Sequence, residues 1–98
     1  MAGRRFLILL ADFKDQEEPN PDVLVKQLDL ALDWVRLTPS SWLLYTSKDA
    51  KTWYARFRKV SEDSRVFISQ VNGSEKSGYM PKMVWEFIRR HQDEVREG

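Results

Sequence analysis

The chain of 98 residues is long enough for one domain that buries about two thirds of the surface its unfolded form exposes, and too short for two independent cores. Hydrophobic residues at 42%, with four Trp, three Tyr and five Phe, exclude a disordered chain, and four Gly and four Pro exclude a collagen-like or linker composition. The absence of Cys and the single His91 exclude a disulfide framework, a thiolate metal site and a multi-histidine zinc centre, and a net charge of +1 points to no partner by itself.

Arg5-Phe-Leu-Ile-Leu-Leu-Ala11 is continuously apolar rather than alternating, which predicts a first strand over 4–12, central in its sheet and covered on at least one face. Its apolar part is too short for a signal peptide or a membrane span and runs straight into Asp12. No membrane association is expected, and the cytoplasm, which the lack of Cys also fits, is the expected compartment. Asn20-Pro21-Asp22 then reads as a helix start: Asn accepts at the N-cap, Pro suits the first helical position and Asp favours the positive end of the helix dipole. The spacing of Leu24, Leu28, Ala31, Leu32 and Val35 extends this helix to about Asp33, with Val23, Leu30 and Trp34 on an apolar flank left for a partner.

Trp34 to Ser47 is broken at Pro39-Ser40-Ser41, which predicts a hairpin of two strands. Thr46 and Asp49 have capping-box spacing before a second helix, whose inner face is read as Ala50, Trp53, Tyr54, Phe57 and Val60. The alternation from Arg65 to Val71 is a fourth strand, followed by a Gly/Ser loop from Asn72 to Gly78. A third helix starts at Pro81 with Met80, Met83, Val84, Phe87, Ile88 and His91 on its inner stripe. The order strand, helix, strand, strand, helix, strand and a further helix predicts an α+β fold, a ferredoxin-like βαββαβ sandwich with an extra C-terminal helix, as one domain over residues 1–98. An open alternating βαβαβα fold is the other reading, but its middle strand would be fourteen residues long with Pro39 inside the ladder.

Ser41-Trp42-Leu43-Leu44-Tyr45-Thr46, Asp63 before Val66-Phe67-Ile68, and Gly78-Tyr79-Met80-Pro81-Lys82 with Trp85 resemble the SinR-family proteins. These are small ferredoxin-like chains related in fold to the small subunit of the CRISPR adaptation complex and to virulence-associated protein D. The resemblance spans nearly the whole chain and implies the same fold. The CRISPR relatives are metal-dependent nucleases or structural dimers whose usual metal ligand is an Asp at the end of the first strand, paired across a two-fold axis. Asp12 stands at that place, and Ala11 stands where those relatives usually carry Tyr.

Two groups of side chains carry the functional expectations. Asp12 and Asp15, with Glu17 and Glu18, form an acidic strand-to-helix loop of the kind that holds Mg²⁺ or Mn²⁺ through one or two carboxylates, with Asp12 as the residue through which a metal-activated water would hydrolyse a phosphodiester. The other reading of these acids is a solvated loop near the positive end of the first helix. Residues 35–65 carry seven basic and three acidic side chains, and Lys48, Lys51, Arg58 and Lys59 share the outer face of the second helix. They form a stripe suited to the phosphates of DNA or RNA, or otherwise a plain solvated face. The sheet edges, 34–38 and 65–71, have little defence against pairing, so a homodimer through the fourth strand and third helix is expected. Two functions follow: a nucleic-acid-associated homodimer with metal-dependent nuclease activity at Asp12, or a noncatalytic module that binds another protein through a sheet edge or apolar flank.

Overall fold

A computed structural model describes residues 3–13, 19–72 and 76–95. Four strands, β1 (Arg5–Asp12), β2 (Asp33–Thr38), β3 (Ser41–Thr46) and β4 (Arg65–Val71), alternate with α1 (Pro21–Leu28) and α2 (Ala50–Arg58), and α3 (Lys82–Gln92) follows. The strands make one antiparallel sheet in the order β2-β3-β1-β4. The chain is therefore a small α+β protein with β1 and β3 in the centre and β2 and β4 at the edges. The central place of β1 and the edge places of β2 and β4 agree with the sequence reading.

Alternation along the strands explains the unbroken apolar run of β1. Leu7 and Leu9 join Trp42 and Leu44 of β3 against Leu24 and Leu28 of α1 and Trp53 and Phe57 of α2. Phe6 joins Val35, Leu43 and Tyr45 on the opposite face against Val84 and Phe87 of α3. Because helices cover the sheet on both sides, every residue of β3 is buried, including the polar Ser41 and Thr46. The cover of the second face is partial. Leu10 and Phe67, partners across β1 and β4, remain 43% and 61% exposed.

Several expectations change at the helices. α1 ends at Leu28 rather than near Asp33, because the following residues are taken by the sheet: Leu32 N–H donates to the Tyr45 carbonyl at 2.9 Å, and Asp33, Trp34 and Val35 pair with Tyr45, Leu44 and Leu43. Continuing the helix would break that ladder and remove Val35 from the core under α3. Trp34 is thus a strand residue packed against the α1/α2 core, with its indole N–H donating to Asp29 Oδ1 at 2.9 Å, and it does not join Val23 and Leu30 on a helix flank. Leu32, expected inside, is 55% exposed.

The cap of α2 is Asp49 itself, whose Oδ1 accepts the Thr52 N–H at 2.9 Å. Thr46 turns inward and accepts from Lys48 N–H and the buried Trp53 indole N–H, each at 3.1 Å. On α3 the inner stripe is Val84 and Phe87 with Met80 and Ile88 beside them, whereas Met83 is 62% exposed. Among the described residues no helix is long and apolar enough to cross a membrane.

Candidate nucleic-acid interface

Successive residues of a helix are rotated by about 100°, so α2 can bury only a narrow stripe against the sheet. Trp53 and Phe57, four apart, take that stripe at 1% and 2% exposure. Lys51, Tyr54, Ala55, Arg58 and Lys59 are exposed on the other side, and Lys48 is exposed just before the helix. The four basic residues expected to act together are all exposed, Lys51, Arg58 and Lys59 away from the buried stripe and Lys48 just before the helix. Tyr54, expected inside, stands among them at 44% exposure.

Arg58 and Tyr54 form a pair one turn apart. The guanidinium donates from NH1 to the phenol oxygen at 3.0 Å, and its central carbon lies 5.8 Å from the ring centroid. That hydrogen bond, with smaller contributions from the Glu62 and Asp63 charges, holds the guanidinium above its ordinary value. The acid at the start of the helix is committed elsewhere: hydrogen bonds from the Thr52 hydroxyl and N–H keep the exposed Asp49 carboxyl below its usual range. The surface offers fixed positive charge with one aromatic ring in its middle.

Asp12 is exposed at the end of β1 with Arg65 as its register partner on β4. It borders a shallow depression of about 220 Å³ lined also by Leu10, Ala11, Val66 and Phe67. Alternation from Phe6 places Asp12 on the α3 side of the sheet, away from the basic face of α2. Asp15, with Glu17 and Glu18, lies outside the described residues, and among the described residues no three His, Asp or Glu side chains group as metal donors. A wider opening of about 400 Å³ at the β2–β3 turn is lined by Arg36 to Pro39, where the Arg36 guanidinium is occupied by the Thr38 and Pro39 carbonyls.

Local pattern gives no sign of a second polar cluster, at the C-terminal end of α3. His91 stacks on Tyr45 with ring centroids 4.1 Å apart, and its Nε2 lies 2.8 Å from Asp33 Oδ2, which also accepts from Arg90 NH1 at 3.0 Å. The Tyr45 hydroxyl donates to Glu94 Oε2 at 2.7 Å, and Arg4 NH1 reaches the same oxygen at 3.1 Å. His91 is thus a core-edge residue, as expected, that ties α3 to β2 and β3. Burial pushes the Asp33 carboxyl up, but the hydrogen bonds from His91 and Trp34 N–H and the His91 and Arg90 charges outweigh it, and the group sits below its usual range. The Tyr45 hydrogen bond and the Arg4 charge likewise hold Glu94 low, against a smaller upward push from burial.

These carboxylates bind protons more weakly in the folded than in the unfolded chain. Their contribution is fully present above the unfolded value of about 4 and is lost as pH falls through the lowered folded values. Thermal unfolding should therefore change little from about pH 7 to 5 and drop below about pH 4. Asp33→Asn should cost about 1 kcal/mol near pH 7, a charge-assisted pair discounted for a side chain one third exposed, and should flatten the acid limb. An acid limb as steep in Asp33→Asn as in the parent would show that the cluster does not hold α3.

The chain matches no family model, no curated protein and no solved structure.

Proposed function

We propose that this chain is a small nucleic-acid-associated protein that acts as a homodimer and holds a phosphate backbone on the outer face of α2. The observation that carries the reading is the shared exposure of Lys48, Lys51, Arg58 and Lys59 on and just before α2, whose first turn holds no acid and whose N-cap, Asp49, is occupied by the Thr52 N–H. Contacts of this kind read charge rather than sequence, so the logarithm of affinity should fall linearly with the logarithm of salt concentration, and affinity should depend weakly on base order. Anisotropy titrations of labelled DNA and RNA oligonucleotides over a salt series test this, and a salt-independent affinity would refute it. The element order and the sheet order β2-β3-β1-β4 support the ferredoxin-like reading of the fold, with α3 as the addition, and with it the likeness to the SinR family.

The dimer is proposed through the edge strand β4 together with α3. β4 keeps an unshifted register with β1 over seven residue pairs and carries neither Pro nor an internal charge between Val66 and Val71, so nothing on it opposes pairing with a second copy. Light scattering at about 100 μM, far above the dissociation constant of an ordinary specific interface, should give twice the chain mass. Ser69→Lys should lower that mass and Thr52→Lys should not. A monomer at this concentration would refute the dimer.

Metal-dependent hydrolysis is an extension of this reading. Within one chain the sheet separates Asp12 from the basic face, so the reaction would need Asp12 to be joined by Asp15 or by a second copy, and by a strand reaching across. Its readout is loss of the bound oligonucleotide only with Mg²⁺ or Mn²⁺. The second reading, a protein-binding module, is favoured by one observation: the exposed Leu10 and Phe67 lie side by side next to the β4 edge. It becomes the first reading if no oligonucleotide binds.

A further inference from the structure

We infer that Tyr54 is the stacking surface for one base of a single-stranded nucleic acid, with Lys51 and Arg58 on the flanking phosphates; this rests on the backbone-binding reading above. Tyr54 is an aromatic ring that the core does not use. Its neighbour Trp53 is buried at 1%, while Tyr54 is 44% exposed one rotation further around α2. Lys51 and Arg58, three residues before it and four after, lie on the same face of the helix, so the ring stands between two cations. Such an alternation of aromatic and basic side chains is what a single strand recognises, because every base has a π-face and every linkage a charge.

Two further features favour a single strand over a duplex. The Arg58 guanidinium is anchored at the hydroxyl end of the ring, 3.0 Å from its oxygen, which orders the ring before any ligand arrives. The basic face is also short. From Lys51 to Lys59 it rises about 12 Å, which covers only about three to four axial phosphate steps of about 3.4 Å along one strand of a duplex. It is bounded by Asp49 at the start and by the exposed Glu62 and Asp63 beyond the end, whose charges reach Arg58. A rigid duplex laid along α2 would carry its phosphates over those carboxylates. A flexible strand crossing the helix at Tyr54 avoids them, and Ala55 leaves room beside the ring.

The test uses a labelled oligothymidine of about twelve nucleotides, an abasic strand of the same length and phosphate count, and the matching duplex, at about 50 mM salt. The parent should bind the base-bearing strand about tenfold more tightly than the abasic one, and more tightly than the duplex. Tyr54→Ala should lose that tenfold and bind both single strands alike with an unchanged salt slope, while Tyr54→Phe, which keeps the ring and loses the Arg58 anchor, should keep the preference for the base-bearing strand at a modestly lower affinity. A uridine strand should behave like the thymidine strand, since the ring reads the base and not the sugar. Equal affinity of the parent for base-bearing and abasic strands, tighter binding of the duplex, or full affinity in Tyr54→Ala would overturn the stacking assignment and leave backbone binding standing. Failure of the parent to bind any of the probes would overturn both. Because Tyr54 is on the surface, circular dichroism melts of its variants should match the parent and separate lost binding from lost folding.

Discussion

Replacing Lys48, Lys51, Arg58 and Lys59 together by Gln should weaken single-strand binding by several hundredfold at about 0.1 M salt. Each cation that displaces a condensed counterion adds about 0.7 to the slope of log affinity against log salt for single strands, so at 0.1 M each is worth about 0.7 of a decade and four are worth nearly three. The slope itself should fall by about three units, a measure independent of protein concentration errors. Folding should be nearly untouched, because all four side chains are exposed and, among the described residues, their hydrogen bonding is confined to the surface contact of Arg58 with the Tyr54 hydroxyl. Lys26→Gln, on the exposed surface of α1, serves as the charge-matched control for the single change Lys51→Gln and should leave affinity within about twofold of the parent, against a loss of about fivefold in Lys51→Gln. Equal loss in the control would mean that net charge, not the α2 face, holds the ligand. Parent-like affinity in the quadruple variant would reduce the basic stripe to a solvated face and move the protein-binding reading to first place.

The largest effect on stability is expected at the residue next to Tyr54. Trp53 fills the centre of the core between α2 and the sheet, its indole N–H satisfies the buried Thr46 hydroxyl at 3.1 Å, and the Arg56 guanidinium covers its ring at 4.9 Å from the centroid. Trp53→Ala removes the whole ring from a site that cannot collapse around two helices and a strand, and should cost about 3–5 kcal/mol by urea unfolding. For a domain of this size that is about half of a stability of about 5–10 kcal/mol, so a lower melting temperature and a larger unfolded fraction are expected. Trp53→Phe keeps most of the apolar contact, leaves the Thr46 hydroxyl with the Lys48 N–H alone, and should cost about 1–2 kcal/mol. Tyr54→Ala should cost less than about 0.5 kcal/mol. Similar losses at these adjacent positions would mean that α2 is rotated relative to the sheet from the orientation described above.

That contrast between adjacent aromatics marks where sequence reasoning stops. The central place of β1 was legible because a strand buried on both faces has no polar alternation. The hairpin was legible from Pro39-Ser40, the edge β4 from its period of two, and the basic surface from charges that recur at helical spacing. All of these are properties of a residue and its near neighbours, and local chemistry sets them. The end of α1 was not legible, since the apolar spacing through Val35 suits a helix as well as it suits a strand, and only the ladder that β3 offers to Asp33, Trp34 and Val35 decides between them. Tyr54 looked like core because its ring is apolar, but the width of the stripe that the sheet can cover admits Trp53 and Phe57 and no third ring. Asp33 and His91, 58 positions apart, gave no signal at all until α3 folded back over the second face of the sheet. Each of these was settled by competition for the same neighbours, a quantity that exists only once the chain is packed, and the orientation that puts Tyr54 among the lysines is a consequence of it.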